Sequence, residues 1–229
     1  MCKNCKNICI WIFKCNSCDI FKINRIWWYS NRHNSFCYID KQYQQIERLD
    51  LIINGLIKLT NLNQSNLEKS TIDFHKLVDD CLISLQAHPR FNSIQFRKEI
   101  GEGLDFQSEW TLINAILQNL IENAIKYSVE RDPFVRIGIQ REDSALILEV
   151  EDNGVGIPYE HQSKIFEMFY RGTRHANGSG LGLYILKRSV DRLKGVIDIK
   201  SVERNGSTFT VKLPYWHRPY YSRAVAFIT

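Results

Sequence analysis

From residue 94 to residue 213 the apolar positions keep changing their period, recurring at every second residue in some stretches and at every third or fourth in others. A chain patterned in this way must lay helices against a sheet, because neither element can bury its apolar face alone. Residues 94–100, 134–140, 145–150, 196–201 and 207–213 carry the strand pattern, and 109–127 and 181–193 the helix pattern. The links within 134–150 and 196–213 are short, the second turning at Asn205-Gly206, so both are hairpins. Hairpins exclude a purely parallel sheet. The predicted class is α+β, with helices layered on one face of a mixed sheet.

Upstream, Ile46, Leu49, Ile53 and Leu56 repeat at three–four spacing while Glu47, Arg48, Asp50 and Lys58 fall on other faces. This predicts an amphipathic helix, whose stripe suits either a core or a partner helix of the same chain or another copy. Residues 61–70 are a polar break. Ile72, Leu77, Cys81, Leu82 and Leu85 then predict a second helix that ends before Pro89.

The first forty residues stand apart. They hold six of the seven cysteines (Cys2, Cys5, Cys9, Cys15, Cys18 and Cys37) and six Lys/Arg against two Asp. Cys2-x-x-Cys5 and Cys15-x-x-Cys18 have the pair spacing of a zinc ribbon, yet nine residues separate the pairs, fewer than such sites use. The segment contains no Leu, Val, Ala, Gly, Pro, Thr, Glu or Gln and keeps no periodicity, so 1–41 receives no domain assignment. Its longest apolar run, 8–13, is six residues, far too short to span a bilayer. The remainder carries 24 basic and 23 acidic residues, which argues against a groove for nucleic acid. With Cys81 alone outside the first block, a disulfide-stapled secreted fold is not expected. The chain is expected to be soluble and cytoplasmic, with room for a membrane-anchored longer parent.

Two glycine-rich turns carry the chemistry. EDNGVGIP (151–158) places Asp152 where a strand ends at the edge of the sheet, and its small turn leaves room for a flat ligand such as an adenine, whose amino group suits the carboxylate. NGSGLGLY (177–184) opens a helix, so free backbone N–H groups and the helix dipole can receive phosphate oxygens. Between them and the N-terminus, Asn119, Asn123 and Lys126 share one helix face at i, i+4 and i+7, opposite Leu117, Leu120, Ile121 and Ala124. Neutral amide oxygens suit a magnesium ion that arrives already bound to phosphate, since Mg²⁺ takes few protein ligands.

LQNLIENAIKYS, EDNGVGIP, IFEMFYRG and NGSGLGL resemble, in this order, the N, G1, F and G2 boxes of sensor histidine kinases. The resemblance spans roughly 74–214 and identifies the catalytic and ATP-binding domain, itself part of the gyrase, Hsp90 and MutL-type ATPase group. It implies a two-layer α/β sandwich over 89–214 that binds ATP and Mg²⁺. On the same footing, Asn123 would hold the magnesium with Asn119 beside it, and Lys126 and Tyr127 would lie near the nucleotide. Asp152 would bond the adenine amino group, with Gly154 and Gly156 shaping its pocket. Phe166, Phe169 and Arg171 would belong to the lid, with Arg171 directed to the γ-phosphate. Gly178, Gly180, Leu181 and Gly182 would close over the phosphates, and Asn123, Lys126 and Arg171 would be the catalytic set.

The family transfers the phosphoryl group to a histidine, followed by Glu or Asp and then Pro, on the first helix of a dimeric hairpin. This chain contains no such box. Residues 42–88 resemble the remainder of that hairpin, an incomplete dimerisation region, and 215–229 form an aromatic, basic tail without a motif. His33, in RHNSF, lacks the acidic neighbour, and His75, in DFHKLVDD, is followed by Lys; His88, His161, His175 and His217 read as surface residues. The implied activity is therefore a histidine kinase of a two-component system, acting on a histidine supplied from elsewhere and serving a response-regulator receiver domain, with a homodimer formed through 42–88. The alternatives are an ATPase or anti-sigma-type serine kinase of the same group, or a non-catalytic ATP-binding module. Asn119 stands where the hydrolysing relatives place a Glu, and KYS after the box favours the histidine kinases.

Overall fold

The computed structural model describes residues 42, 45, 46, 49–60, 69–172 and 179–215. The two Cys-x-x-Cys pairs, Gly178 and the tail beyond Tyr215 lie outside them. The chain divides into two compact units, Met1–Asp50 and Leu51–Thr229. In the first, residues 42, 45, 46, 49 and 50 are helical and exposed.

The second unit opens with helix α1 (residues 51–60). Then follow β1 (Lys69–Thr71), α2 (Phe74–Leu85), β2 (Gln95–Ile100), β3 (Gln107–Glu109), α3 (Trp110–Lys126), β4 (Phe134–Glu142) and β5 (Ala145–Asp152). A short α4 (Tyr159–Gln162), α5 (Gly182–Arg192), β6 (Val196–Val202) and β7 (Gly206–Pro214) complete it. Five strands form one sheet in the order β2-β4-β5-β7-β6, with β2 parallel to β4 and every other pair antiparallel. A two-stranded ribbon of β1 and β3 stands beside it.

Burial alternates along the central strands, as a sheet covered on one face requires. Val135, Ile137, Ile139, Leu146, Leu148, Val150, Phe209, Val211 and Leu213 turn inward and join the apolar sides of α2, α3 and α5 in one core. The opposite face is polar: Arg136 reaches Glu99 at 3.1 Å, Glu149 at 2.6 Å and Glu151 at 2.7 Å across three strands. The expected two-layer sandwich is therefore the architecture found.

Asp152 does not lie on an edge of this sheet. It ends β5, the middle strand, paired with Val135 of β4 on one side and Ser207 of β7 on the other. The second hairpin also differs from its expected turn. Glu203–Asn205 make the connection, and Gly206 (φ +96°) already belongs to β7, opposite Val202. A β-carbon on Gly206 would collide with the carbonyl oxygen of Asp152. This glycine makes room for the neighbouring strand end rather than making the turn.

Helix α2 begins at Asp73, whose side chain accepts the N–H of Lys76 at 3.0 Å. It buries Phe74, Leu77, Val78, Cys81 and Leu85 in the same core as α3. The apolar stripe upstream, expected to meet either a core or a partner helix, is exposed: Ile46 57%, Leu49 57%, Ile53 52% and Leu56 40%. These side chains cover no core among the described residues.

Candidate functional site

Helix α3 explains how four polar groups come to face one space. Leu112, Ile113, Ile116, Leu117, Leu120, Ile121, Ala124 and Ile125 recur at three–four spacing and are buried, so Asn119, Glu122, Asn123 and Lys126 are left on the side away from the core. The helix end is well held. Tyr127 N–H donates to the Asn123 carbonyl at 3.0 Å, Ser128 Oγ donates to the Ile125 carbonyl at 2.8 Å, and Arg90 Nη1 donates to the Ser128 carbonyl at 2.5 Å.

These residues open onto a cavity of about 490 Å³, which also takes in Tyr127, Asp152, Gly156, Arg171, Gly180, Leu181 and Gly182. Its size is that of a small-molecule site. The structure thus brings the helix face and both glycine turns around one space. Gly154 is not part of the lining; it lets the loop pass, since a β-carbon there would stand 2.5 Å from the Tyr127 carbonyl oxygen and 2.7 Å from Asp152 Oδ1. Val155 N–H donates to the same Tyr127 carbonyl at 3.0 Å, tying the loop after β5 to the end of α3.

At one end of the cavity sits Asp152. Burial pushes its carboxyl up to about 6, against the opposing pull of hydrogen bonds from the Gly154 and Ser207 backbone. A half-desolvated acceptor of this kind suits a neutral N–H donor better than a cation. At the other end α5 begins at Gly182 with no side-chain cap and no acidic residue in its first turn. Its first N–H groups have no intrahelical acceptor, which leaves a seat for an anion. Gly182 lies so close to α3 that a β-carbon would meet Asn119 Oδ1 at 3.0 Å, while Asn119 Nδ2 donates back to the Ala115 carbonyl at 2.7 Å. Asn123 Nδ2 and Arg171 Nε are buried and make no hydrogen bond among the described residues. Both are unspent polar groups at a cavity wall.

Residues 110–217 match the family model of the histidine kinase-, DNA gyrase B- and HSP90-like ATPases. The circadian input-output histidine kinase CikA of Thermosynechococcus vestitus is 34% identical over 186 residues, which is 77% of this chain and 25% of CikA. The alginate biosynthesis sensor protein KinB of Pseudomonas aeruginosa is 31% identical over 178 residues, 75% of this chain and 29% of KinB. Among solved structures, the catalytic domain of histidine kinase ThkA, in a nucleotide-free form, matches with a TM-score of 0.57 at 27% identity over 65% of this chain and 98% of that domain. This chain carries the ATP-binding domain of the sensor histidine kinases. It spans little more than a quarter of the curated relatives CikA and KinB.

Within this histidine kinase domain, the two phenylalanines expected in the lid stand apart from the cavity. Phe166 packs against the core, and the Phe169 side chain is 47% exposed. The Phe169 backbone has a role of its own. Held at φ +63°, it donates to the Gly180 carbonyl at 3.0 Å, and a β-carbon on Gly180 (φ +73°) would stand 2.8 Å from the Phe169 carbonyl carbon. The two ends of the 169–180 stretch therefore meet in strained backbone, which only a fixed surrounding structure sustains.

Several lining residues carried no signal in the sequence. Ser207 and Phe209 reach the cavity because β7 pairs with β5, a neighbour relation no local pattern records. His161, read as a surface residue, lines the cavity and shares a 2.7 Å hydrogen bond with the Tyr170 hydroxyl. Among the described residues no three His, Cys, Asp or Glu side chains gather as a metal cluster, and no helix is long and apolar enough to cross a membrane.

Proposed function

We propose that the cavity binds ATP with Mg²⁺ and that the chain passes the γ-phosphoryl group to a histidine supplied by another chain or by a longer parent. The observation that carries this reading is the pairing of opposite chemistries in one space: a partly desolvated carboxyl, Asp152, at one end, and an uncapped helix N-terminus with Arg171 at the other. A purine base and a phosphate chain need these two environments at once.

The residues present fit magnesium. The Asn123 amide lines the cavity, and its neutral oxygen suits an ion that brings its own phosphate and water ligands. In this role the ion supplies charge neutralisation along the phosphates, and Asn123 and Asn119 would hold it from α3. Asp152 orients the base, Lys126 and Arg171 bear on the phosphates, and the α5 N-terminus receives them. Phosphoryl transfer of this kind depends almost wholly on positioning and electrostatics.

Among the described residues Glu122 is the one glutamate that lines the cavity, and it is exposed. The packing of α2 into the core supports a catalytic unit that begins by residue 69 rather than at 89. The exposed stripe of Ile53 and Leu56 supports packing of that helix on a second copy, the arrangement in which a response-regulator receiver domain would be served, in the cytoplasm. Incubation with γ-labelled ATP and a separately made acceptor hairpin tests the reading. Label on the hairpin histidine is expected; release of inorganic phosphate alone would instead make the domain an ATPase, and binding without either a non-catalytic module.

A further inference from the structure

Helix α1 forms one wall of the nucleotide cavity. Leu51, Asn54, Gly55 and Lys58 line it, at the i, i+3, i+4 and i+7 spacing of a single helix face. Contact is closest at Gly55, which is buried and whose missing β-carbon would collide with Leu181 Cδ1. Leu59 closes the seam against the cluster of Leu112, Leu181 and Ile185. Leu181 is the N-cap of α5. Gly55 therefore rests beside the end of the cavity assigned to phosphates, remote in role from the Asp152 end. Lys58 follows three residues later on the same face, a rise of about 4.5 Å, with its side chain exposed to the cavity.

We propose that Lys58 is a nucleotide-contacting residue that grips the phosphates of ATP, so that docking of α1 and occupancy of the site reinforce one another. This rests on the reading of the cavity as an ATP site. Among the described residues, the other Lys, Arg, Asp and Glu side chains lining the cavity are Lys126 and Arg171 against Glu122 and Asp152, a balance of no net charge. A nucleoside triphosphate brings several negative charges, and magnesium offsets only part of them. A third cation on a flexible stem suits that deficit, since a lysine ammonium acts on phosphate as a mobile point charge. One charge-assisted contact of this type corresponds to about tenfold in affinity. By linkage, the filled site holds α1 more tightly by the same factor. The segment upstream of the catalytic core thereby senses whether nucleotide is bound.

Equilibrium binding of ATP, ADP and adenosine to the wild-type chain, Lys58→Ala and Lys58→Arg tests this. Lys58→Ala is expected to weaken ATP and ADP about five- to tenfold and to leave adenosine unchanged, with Lys58→Arg recovering most of the loss. Gly55→Val, which forces α1 away from Leu181, is expected to weaken ATP similarly and to make a further Lys58→Ala change neutral. Unchanged ATP affinity in Lys58→Ala, or an equal loss for adenosine, overturns the proposal and leaves the nucleotide site standing. A wild-type chain that takes up none of the three ligands overturns the site itself.

Discussion

The carboxylate of Asp152 accepts the backbone N–H of Gly154 at 2.8 Å, so the loop folds back onto the group that the base is to meet. That bond does not outweigh burial, and the carboxyl remains pushed up to about 6. In an unfolded chain it would ionise near 3.9. Below that pH both states are protonated. As the pH climbs from about 4 to about 6 the unfolded state sheds its proton first, and the fold loses stability, by up to about 3 kcal/mol at neutral pH. Asp152→Asn escapes this loss because its amide oxygen accepts the same backbone hydrogen bonds. Thermal melts are expected to show the variant matching wild type at about pH 4 and melting higher at about pH 7.5, while ATP binding falls by about 100-fold or more.

The same carboxyl sets a pH limit on recognition. Adenosine, which has no phosphate to titrate, is expected to bind wild type with an affinity that falls below about pH 6 and approaches a tenfold loss per unit. Asp152→Asn should show a flat, weak profile over that range. A wild-type affinity that stays level from about pH 5 to about pH 8 would place the base away from this residue.

Two glycines with the same backbone twist should respond differently to alanine. Gly156 and Gly103 both sit at φ +66°, but a β-carbon on Gly156 would collide with the Val202 carbonyl, whereas nothing lies within 4 Å of one on Gly103. Gly103→Ala is expected to cost about 1 kcal/mol, the strain alone. Gly156→Ala adds the clash and is expected to cost about 3 kcal/mol and to weaken adenosine binding. Urea titrations of both variants give the comparison.

Arg136 stands on the polar face of the sheet between Glu99, Glu149 and Glu151, and its guanidinium is held more firmly protonated by Glu151 above all. Arg136→Ala leaves three carboxylates close together without their shared cation. A loss of about 1–2 kcal/mol is expected, reduced by added salt, with ATP affinity unchanged. Chemical denaturation at low and high ionic strength measures it.

Arg171→Ala removes the buried, unpartnered Nε from the phosphate end of the cavity. Phosphoryl transfer to an acceptor hairpin should fall by about 10–100-fold while adenosine binding stays near wild type. Equal losses in both would assign Arg171 a structural role.

What could be read from the residues was what repeats. Leu112 to Ile125 announce α3 through their spacing, and the alternating residues of β4, β5 and β7 announce the sheet, because burial on one face writes a period into the chain. The β1–β3 ribbon wrote none: Lys69–Thr71 and Gln107–Glu109 are short and polar, and only Ser108 is buried. Of the site, the residues in contiguous motifs were legible, including Asn119, Asn123 and Asp152. Ser207 and Lys58 were not, since strand order brings the first to Asp152 and the packing of Gly55 on Leu181 brings the second to the cavity wall. Asp152 was likewise placed on an edge because a sequence specifies where a strand ends but not which neighbours flank it.

β5 is paired along its whole length to β4 and β7 alike, so its last residue is flanked on both sides. The residue that would discriminate adenine from other bases thus hangs from the central strand of the sheet. At the other end of the cavity, the Phe169 N–H meets the Gly180 carbonyl and joins the two ends of the 169–180 stretch to each other. On the proposed reading, recognition of the base hangs from the middle of the sheet and recognition of the phosphates from a helix end, so the two can be altered independently.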